Sequence, residues 1–289
     1  MKRSSEREKE HECKNDNYHY DRSGIGNSDC LRRCNDREKT TRKIRKEKTM
    51  EGQRLWDNGP YFAQSEHFKL GTDSVLLGDF VNIGGRVRGI DLGCGSGILP
   101  LLLLWRSDRL HMTGLEIDPA AADMARENMV ENGLSDRCEI VTGDIKDCRS
   151  LFKTGEFELV VSNPPYFAAG SGGVSPDGRK AAARGELLCS LEDICRAAAY
   201  LCRTGGAFCL VHRAERLADV VCALRDAGFE PKRLRTVSHS AEKEPSLILV
   251  EARRGGAPGL RIMPPLFIRG ADGEETAEIL RIYHREDRP

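Results

Sequence analysis

The chain has 289 residues and balances 45 basic against 45 acidic side chains, for a formal net charge of zero. That length holds one large or two small domains, and its longest apolar run, 98–105, falls well short of the ~20 residues a membrane-spanning helix needs. Eleven cysteines occur without a CxxC pair or a leading signal-peptide pattern, so a disulfide framework is not expected and a reducing cytosol is the simplest home.

Residues 1–50 differ from the rest. They carry 15 Lys/Arg against 10 Asp/Glu and few apolar side chains, Ile25, Leu31 and Ile44 among them. Such a stretch buries too little surface to offset its chain entropy and is expected to be a disordered arm. It reads as a solvated tail, with a phosphate-attracting arm as the sharper alternative. Cys13, Cys30 and Cys34, near His11 and His19, match no familiar zinc spacing, so no metal is expected. By subtraction residues 51–289 hold 30 basic and 35 acidic groups, a mildly acidic body. Within this domain 51–85 is a lead-in, 86–255 the core and 256–289 a C-terminal segment.

From residue 86 strands and helices alternate. Strand 87–91 runs into a glycine loop, and helix 98–105 follows with Pro100 tolerated in its first turn. Strand 112–116 precedes a helix opened by Asp118 as N-cap and Pro119 at its first position. Asn132-Gly133 is a left-handed stop for that helix. Strands 138–141 and 157–162 come next. Ser190 with Asp193 caps a helix through Leu201, strand 207–211 follows, and helix 214–227 is stopped by Gly228. Strands 233–237 and 247–251 bring the count to seven. Cys189, Cys195, Cys202, Cys209 and Cys222 lie in apolar patterns and are expected to pack as small hydrophobes. The alternation predicts an α/β, Rossmann-like fold, a mostly parallel sheet with helices on both faces, binding ligands at the strand carboxyl ends.

Two motifs sit at such ends. The first is Asp91-Leu92-Gly93-Cys94-Gly95-Ser96-Gly97, whose glycines allow tight turning and close approach to a nucleoside cofactor. A dinucleotide fingerprint wants its third glycine where this chain has Ile98, so NAD and FAD are disfavoured. Glu116, at the end of the next strand, can accept from both hydroxyls of a ribose, and Ile117 can pack on an adenine face. Asp144, followed by Ile145, is placed to accept from an adenine amino group. Each carboxylate alone could be a loop or cap residue; together with the glycine loop they suggest a cofactor site.

The second motif is Asn163-Pro164-Pro165-Tyr166, following strand 157–162. The Asn163 side-chain oxygen and the Pro164 carbonyl can accept the two N–H bonds of a planar amino group, drawing electron density back onto a poorly nucleophilic nitrogen. The two prolines stiffen the turn, and Tyr166 offers a stacking face worth about 1–3 kcal/mol per base in other systems. In isolation the tetrapeptide is an ordinary turn. With the glycine loop upstream it points to methyl transfer from S-adenosylmethionine to a conjugated nitrogen.

These residues resemble the class I S-adenosylmethionine-dependent methyltransferases that methylate amino groups. More narrowly, Phe68-Lys69-Leu70-Gly71-Thr72-Asp73-Ser74-Val75-Leu76-Leu77, Ala183-Arg184 and Phe267-Ile268-Arg269-Gly270 resemble the bacterial tRNA1(Val) adenine N6-methyltransferases, which modify the adenine beside the anticodon. The resemblance covers residues 52–287. It implies a seven-stranded, mostly parallel sheet with an antiparallel final strand. It also implies S-adenosylmethionine as cofactor, a tRNA substrate, and Gly71, Thr72 and Asp73 lining the methionine end of the cofactor or the space between cofactor and base. Without the resemblance, Thr72 or Asp73 is simply a helix N-cap. The charged arm departs from the family pattern.

An anticodon-loop adenine is flipped into a pocket at a cost of only a few kcal/mol. Arg179, Lys180 and Arg184, in a Gly/Ser/Ala-rich stretch, are expected RNA contacts on a mobile lid, with Lys232, Arg233, Arg235, Arg253 and Arg254 as further candidates; for each cluster the blander reading, a solvated surface, carries more weight. No membrane or metal partner is expected, and a monomer is favoured. The nearest rival methylates a glutamine amide in release factors, but those enzymes carry a folded helical domain where this chain has a charged tail. Guanine-N2 methylation of ribosomal RNA, adenine-N6 methylation of DNA and a catalytically silent RNA-binding factor are the other readings.

Overall fold

A computed structural model describes residues 52–64, 71–164 and 189–285, all within the unit 50–289. The N-terminal arm, with its cysteines and histidines, lies outside the described residues. The chain enters through a short hairpin, β1 (Gly52–Arg54) and β2 (Tyr61–Ala63), and then helix α1 (Thr72–Phe80). The core alternates β3 (Arg88–Leu92), α2 (Ile98–Trp105), β4 (His111–Glu116), α3 (Pro119–Glu131), β5 (Cys138–Thr142), a single turn α4 (Cys148–Leu151) and β6 (Phe157–Ser162). Then come α5 (Leu191–Leu201), β7 (Cys202–Arg213), α6 (Leu217–Asp226), β8 (Phe229–Ser238), β9 (Pro245–Arg254), the two-residue strands β10 (Arg261–Ile262) and β11 (Leu266–Phe267), and α7 (Ala277–Ile282).

The sheet has order β10-β8-β9-β7-β6-β3-β4-β5, with β11 also on β8, for nine strands. Strands β7, β6, β3, β4 and β5 pair in parallel, and β9 is antiparallel to both neighbours. The expected antiparallel strand is therefore present, but it is not the last. Two short strands follow it, running parallel to β8.

Alternation along each strand splits the core into two layers. Leu159, Val161, Ala207 and Cys209 face α1, α2 and α3, while Val160, Phe208 and Leu210 face α5 and α6. Helix α2 is buried from Ile98 to Leu104, and each such leucine contributes about 1.5–3 kcal/mol relative to exposure. Its apolar run is thus a core helix.

Local signals place most helix ends. Asp118 caps α3 by accepting from the Ala120 N–H, with Pro119 opening the helix. Ser190 and Asp193 form a reciprocal capping box on α5. Other expectations change. Helix 214–227 opens as a 3-10 turn, and the α-helix starts only at Leu217. Helix α1 is capped by the backbone of Gly71 with no side-chain cap, because Thr72 is already helical, so neither Thr72 nor Asp73 is the N-cap. Cys195, Cys202 and Cys209 are buried as expected, but Cys189 is half-buried and Cys222 is exposed.

The hairpin docks through an unforeseen device. Asn128 on α3 and Asn132, the residue capping its C-terminus, stand four residues apart, about 6 Å of helix rise. Tyr61 and Ala63 stand two apart on β2, about 6.6 Å of strand. The repeats match, so each asparagine side chain bonds one backbone unit as a neighbouring strand would. Asn128 accepts from the Ala63 N–H at 2.9 Å and donates to the Ala63 carbonyl at 3.0 Å; Asn132 treats Tyr61 the same way at 2.8 and 2.7 Å. The Asn128 amide also donates to the Ser96 carbonyl at 2.9 Å, joining the hairpin to the glycine loop.

Candidate active site

Chain order passes outward from β3 through β4 to β5, then crosses back to β6 on the other side of β3. Such a reversal leaves a crevice at the strand carboxyl ends, and both motifs stand there.

Asp91, near the end of β3, is 1% exposed, and its Oδ1 has no hydrogen-bond partner. Burial first, and then the Glu116 carboxylate, push its pKa well up. An unsatisfied buried acceptor costs about 1–3 kcal/mol, so this carboxyl calls for a donor. The loop after it is pinned to β4: the Gly93 and Cys94 N–H groups donate to the Leu115 carbonyl at 2.8 and 3.1 Å. Gly93 and Gly95 have φ of 78° and 54°, and a Cβ on either would meet nothing within 4 Å, so both present bare backbone to open space. Gly97 caps α2 in the left-handed region, packed towards Ala125.

Glu116 is buried, its two oxygens accepting from the Gly95 N–H at 2.8 Å and the Asp118 N–H at 2.9 Å. A carboxylate has roughly four acceptor positions, so each oxygen keeps capacity for a hydroxyl. Ile117 beside it is 51% exposed, a large apolar side chain left open at the crevice. Asp144 follows β5 and caps a 3-10 turn, Ile145–Asp147, by accepting from the Lys146 N–H at 2.9 Å. One of its oxygens is therefore engaged locally, while Ile145 packs partly into the α5 layer.

Asn163 leaves β6 half-buried, and its Nδ2 donates to the Ser74 hydroxyl of α1 at 2.9 Å. Next to it, the Ser162 hydroxyl donates to the Leu92 carbonyl at 2.8 Å, holding the tips of β6 and β3 together. Pro164 is buried. The sequence reading quoted Ser74 within the lead-in motif but gave it no role, since nothing local to it distinguishes it from any helical serine. Gly71 and Thr72 are exposed and Asp73 half-buried at the start of the same helix. Burial pushes the Asp73 carboxyl pKa up, opposed by the nearby positive charge of Arg213. Pro165, Tyr166, Arg179, Lys180, Arg184 and the expected lid lie outside the described residues.

The further basic candidates are committed elsewhere. Arg233 pairs with Glu251 at 2.6 Å and stacks over Phe80, and Arg235 donates two parallel hydrogen bonds to the Glu278 carboxylate at 2.8 and 2.7 Å. Lys232, Arg253 and Arg254 donate to the carbonyls of Ala257, Gly205 and Ala227. Because β9 runs antiparallel, Arg253 and Arg254 also stand at the sheet edge opposite Asn163. Two clefts of about 590 and 560 Å³, both touching Arg88, Thr113 and Phe157, likewise lie toward the amino ends of the parallel strands, away from the motifs.

Within the crevice, an orphaned buried acceptor, bare glycine backbone, a carboxylate with spare acceptor positions and an open isoleucine fit a nucleoside carrying a cationic tail. The methyltransferase small domain family matches residues 64–177. A tRNA1(Val) (adenine(37)-N6)-methyltransferase of Porphyromonas gingivalis is 35% identical over 222 residues, covering 74% of this chain and 86% of that protein. One from Tolumonas auensis is 30% identical, covering 74% and 87%. A crystal structure of a predicted O-methyltransferase from Agrobacterium tumefaciens matches with a TM-score of 0.60 at 20% identity, over 74% of this chain and 97% of that one, a likeness of fold. The chain belongs to the tRNA1(Val) (adenine(37)-N6)-methyltransferase family of class I S-adenosylmethionine-dependent methyltransferases.

Proposed function

We propose that this protein methylates the exocyclic N6 of an adenine in tRNA, at the position its relatives' names give, adenine 37 of tRNA1(Val). The observation that carries the reading is the Asn163 carboxamide at the tip of β6, beside the glycine loop, with its nitrogen donated to Ser74. With the NH2 end so engaged, Oδ1 is left as an acceptor for the amino group of a base.

S-adenosylmethionine, when bound, supplies a methyl group on an electrophilic sulfonium. Gly93, Gly95 and Gly97 allow backbone to approach the cofactor, and Asp91 accepts from its cationic end. Glu116 accepts from the ribose hydroxyls, Ile117 and Ile145 cover the adenine, and Asp144 uses its remaining acceptor capacity on the adenine amino group. Gly71, Thr72 and Asp73 border the space between cofactor and base. Asn163 and the Pro164 carbonyl take the two N–H bonds of the target, with Pro165 fixing the turn and Tyr166 stacking on the base. Arg179, Lys180 and Arg184 contact phosphates. Orientation is the main requirement, since displacement at a sulfonium carbon needs correct alignment above all. In this reading the protein acts as a monomer, in the cytoplasm with its tRNA substrate. Residues 1–50 form a basic arm outside the catalytic domain 51–289.

The test is to delete the gene, purify individual tRNAs and compare their nucleosides by mass spectrometry. Loss of N6-methyladenosine from a single valine tRNA, restored by the wild-type gene, is expected. Unchanged tRNA together with an unmethylated release-factor glutamine would assign the protein to the rival reaction instead.

A further inference from the structure

The cofactor-side residues stand on β3, β4 and β5, and Asn163 stands on β6. The next strand on the other side of β6 is β7, so its carboxyl end borders the space left for substrate. The last pair between the two strands joins Ser162 to Leu210, and β7 continues three residues further to Arg213. Arg213 is held there by its strand partner Leu247 and by its own N–H, which donates to Nδ1 of the buried His212 at 2.9 Å.

Its side chain is only half-buried and makes no hydrogen bond or ion pair among the described residues. Asp73 of α1 is near enough to be acted on by its charge but closes no pair with it. Most other described arginines are tied to a carboxylate, a carbonyl or an aromatic ring. Arg109 and Arg261 are likewise uncommitted, but Arg109 precedes the amino end of β4, on the opposite edge. Arg261 sits on the outermost strand, four positions from β6. Arg213 thus offers an uncommitted guanidinium at the substrate side of the crevice. A rigid planar donor beside the mouth of a base pocket suits a phosphodiester, which guanidinium binds through two parallel N–H bonds.

We infer that Arg213 grips a backbone phosphate of the RNA next to the methylated adenine, and so holds the tRNA at the mouth of the base pocket. This rests on the tRNA reading above. The strand end carries the guanidinium, so its reach does not depend on the segment following Asn163.

The test compares wild type with Arg213→Gln and Arg213→Lys, each verified as folded by its thermal midpoint. Steady-state kinetics, salt-dependent tRNA binding and cofactor affinity by calorimetry are measured on each. For Arg213→Gln the KM for tRNA is expected to rise about tenfold with kcat within about twofold. The slope of log affinity against log salt should shrink by about 0.7–0.9, with cofactor affinity unchanged, and Arg213→Lys should restore most of the slope as a point charge. An unchanged KM and slope in Arg213→Gln would overturn the inference while leaving the tRNA reading intact. So would weakened cofactor binding, which would make Arg213 a cofactor contact, or a fall in kcat alone, which would mean that it acts through Asp73. A wild type that forms no N6-methyladenosine on any tRNA would sink both.

Discussion

The Asn163 amide donates to the Ser74 hydroxyl across 2.9 Å, although 89 residues separate them in the chain. That contact decides which end of the carboxamide faces the crevice, because a terminal amide can otherwise turn over at little cost. Ser74 is buried in α1, so the orientation is carried by a rigid element. Ser74→Ala should lower kcat about tenfold, roughly 1.4 kcal/mol of transition-state stabilisation, with unchanged cofactor affinity. Ser74→Thr should recover part of it. Single-turnover rates with saturating cofactor make the comparison, and a Ser74→Ala enzyme as fast as wild type would remove the orienting role.

Replacing Asn163 itself removes the acceptor. Asn163→Ala should cut kcat by about 10²–10³, the range seen when a site loses one preorganised polar contact. Cofactor binding measured by calorimetry should stay near wild type. Equal losses in cofactor affinity would mean that Asn163 serves the cofactor rather than the base.

Asp91 couples the site to stability. Its folded-state pKa is raised by burial and by Glu116, so its neutral form is favoured and the ligand-free fold loses stability as pH rises above the ordinary carboxylate range. Asp91→Asn should flatten that loss and raise the thermal midpoint at alkaline pH, while weakening cofactor binding about tenfold or more. Thermal scans across pH, with and without cofactor, read both effects. A variant less stable than wild type at high pH would show that the carboxylate is satisfied in solution.

Asn128 is 1% exposed and its three hydrogen bonds serve the hairpin and the glycine loop together. Asn128→Ala orphans Ala63 at both backbone groups and Ser96 at its carbonyl, a cost of about 2–4 kcal/mol. Denaturant titration should show that loss, and cofactor affinity should fall with it because the loop is freed. Asn132→Ala should destabilise the hairpin with less effect on cofactor, since its bonds avoid the loop.

His212 gives the fold an acid limit. Burial first, and then the charge of Arg216, lower its pKa from 6.5 to about 4. The depressed value means its contribution is complete above 6.5 and is lost as pH falls towards 4. The loss amounts to about 3 kcal/mol at most. His212→Gln should show a shallower decline of thermal midpoint over that interval than wild type. Parallel declines would place the acid sensitivity in the carboxylates alone.

Much of the catalytic framework was legible because its signals are local. Helix α2 and strand β6 match their expected bounds since each is an uninterrupted apolar run beside a glycine or proline turn. Helix α5 matches because Ser190 and Asp193 satisfy each other's backbone within four residues. The strands beyond β6 were read too short. β7 begins in the polar stretch from Cys202 to Gly206, where a register shift against β6 hides the alternation. The hairpin was not legible at all: its three-residue strands carry no period, and much of what holds them is a pair of asparagines on a helix. Ser74 was opaque for a related reason, its meaning residing in a partner far along the chain. The clusters at 232–235 and 253–254 were ambiguous because charge is visible in sequence while the carboxylate or carbonyl that absorbs it is not.

The antiparallel insertion of β9 between β7 and β8 also sets an order of assembly. Strands β3, β4 and β5 can close on one another as soon as residue 142 is available, since each pairs with a near neighbour in the chain. The half that faces substrate cannot: β7 and β8 share no ladder and are joined only through residues 245–254, which come after both. Pairing over long separations is slow because loop entropy is lost before contacts return it. A nascent chain therefore has the means to shape its nucleoside cradle early, while the wall beyond β6 waits until residue 254 has been made.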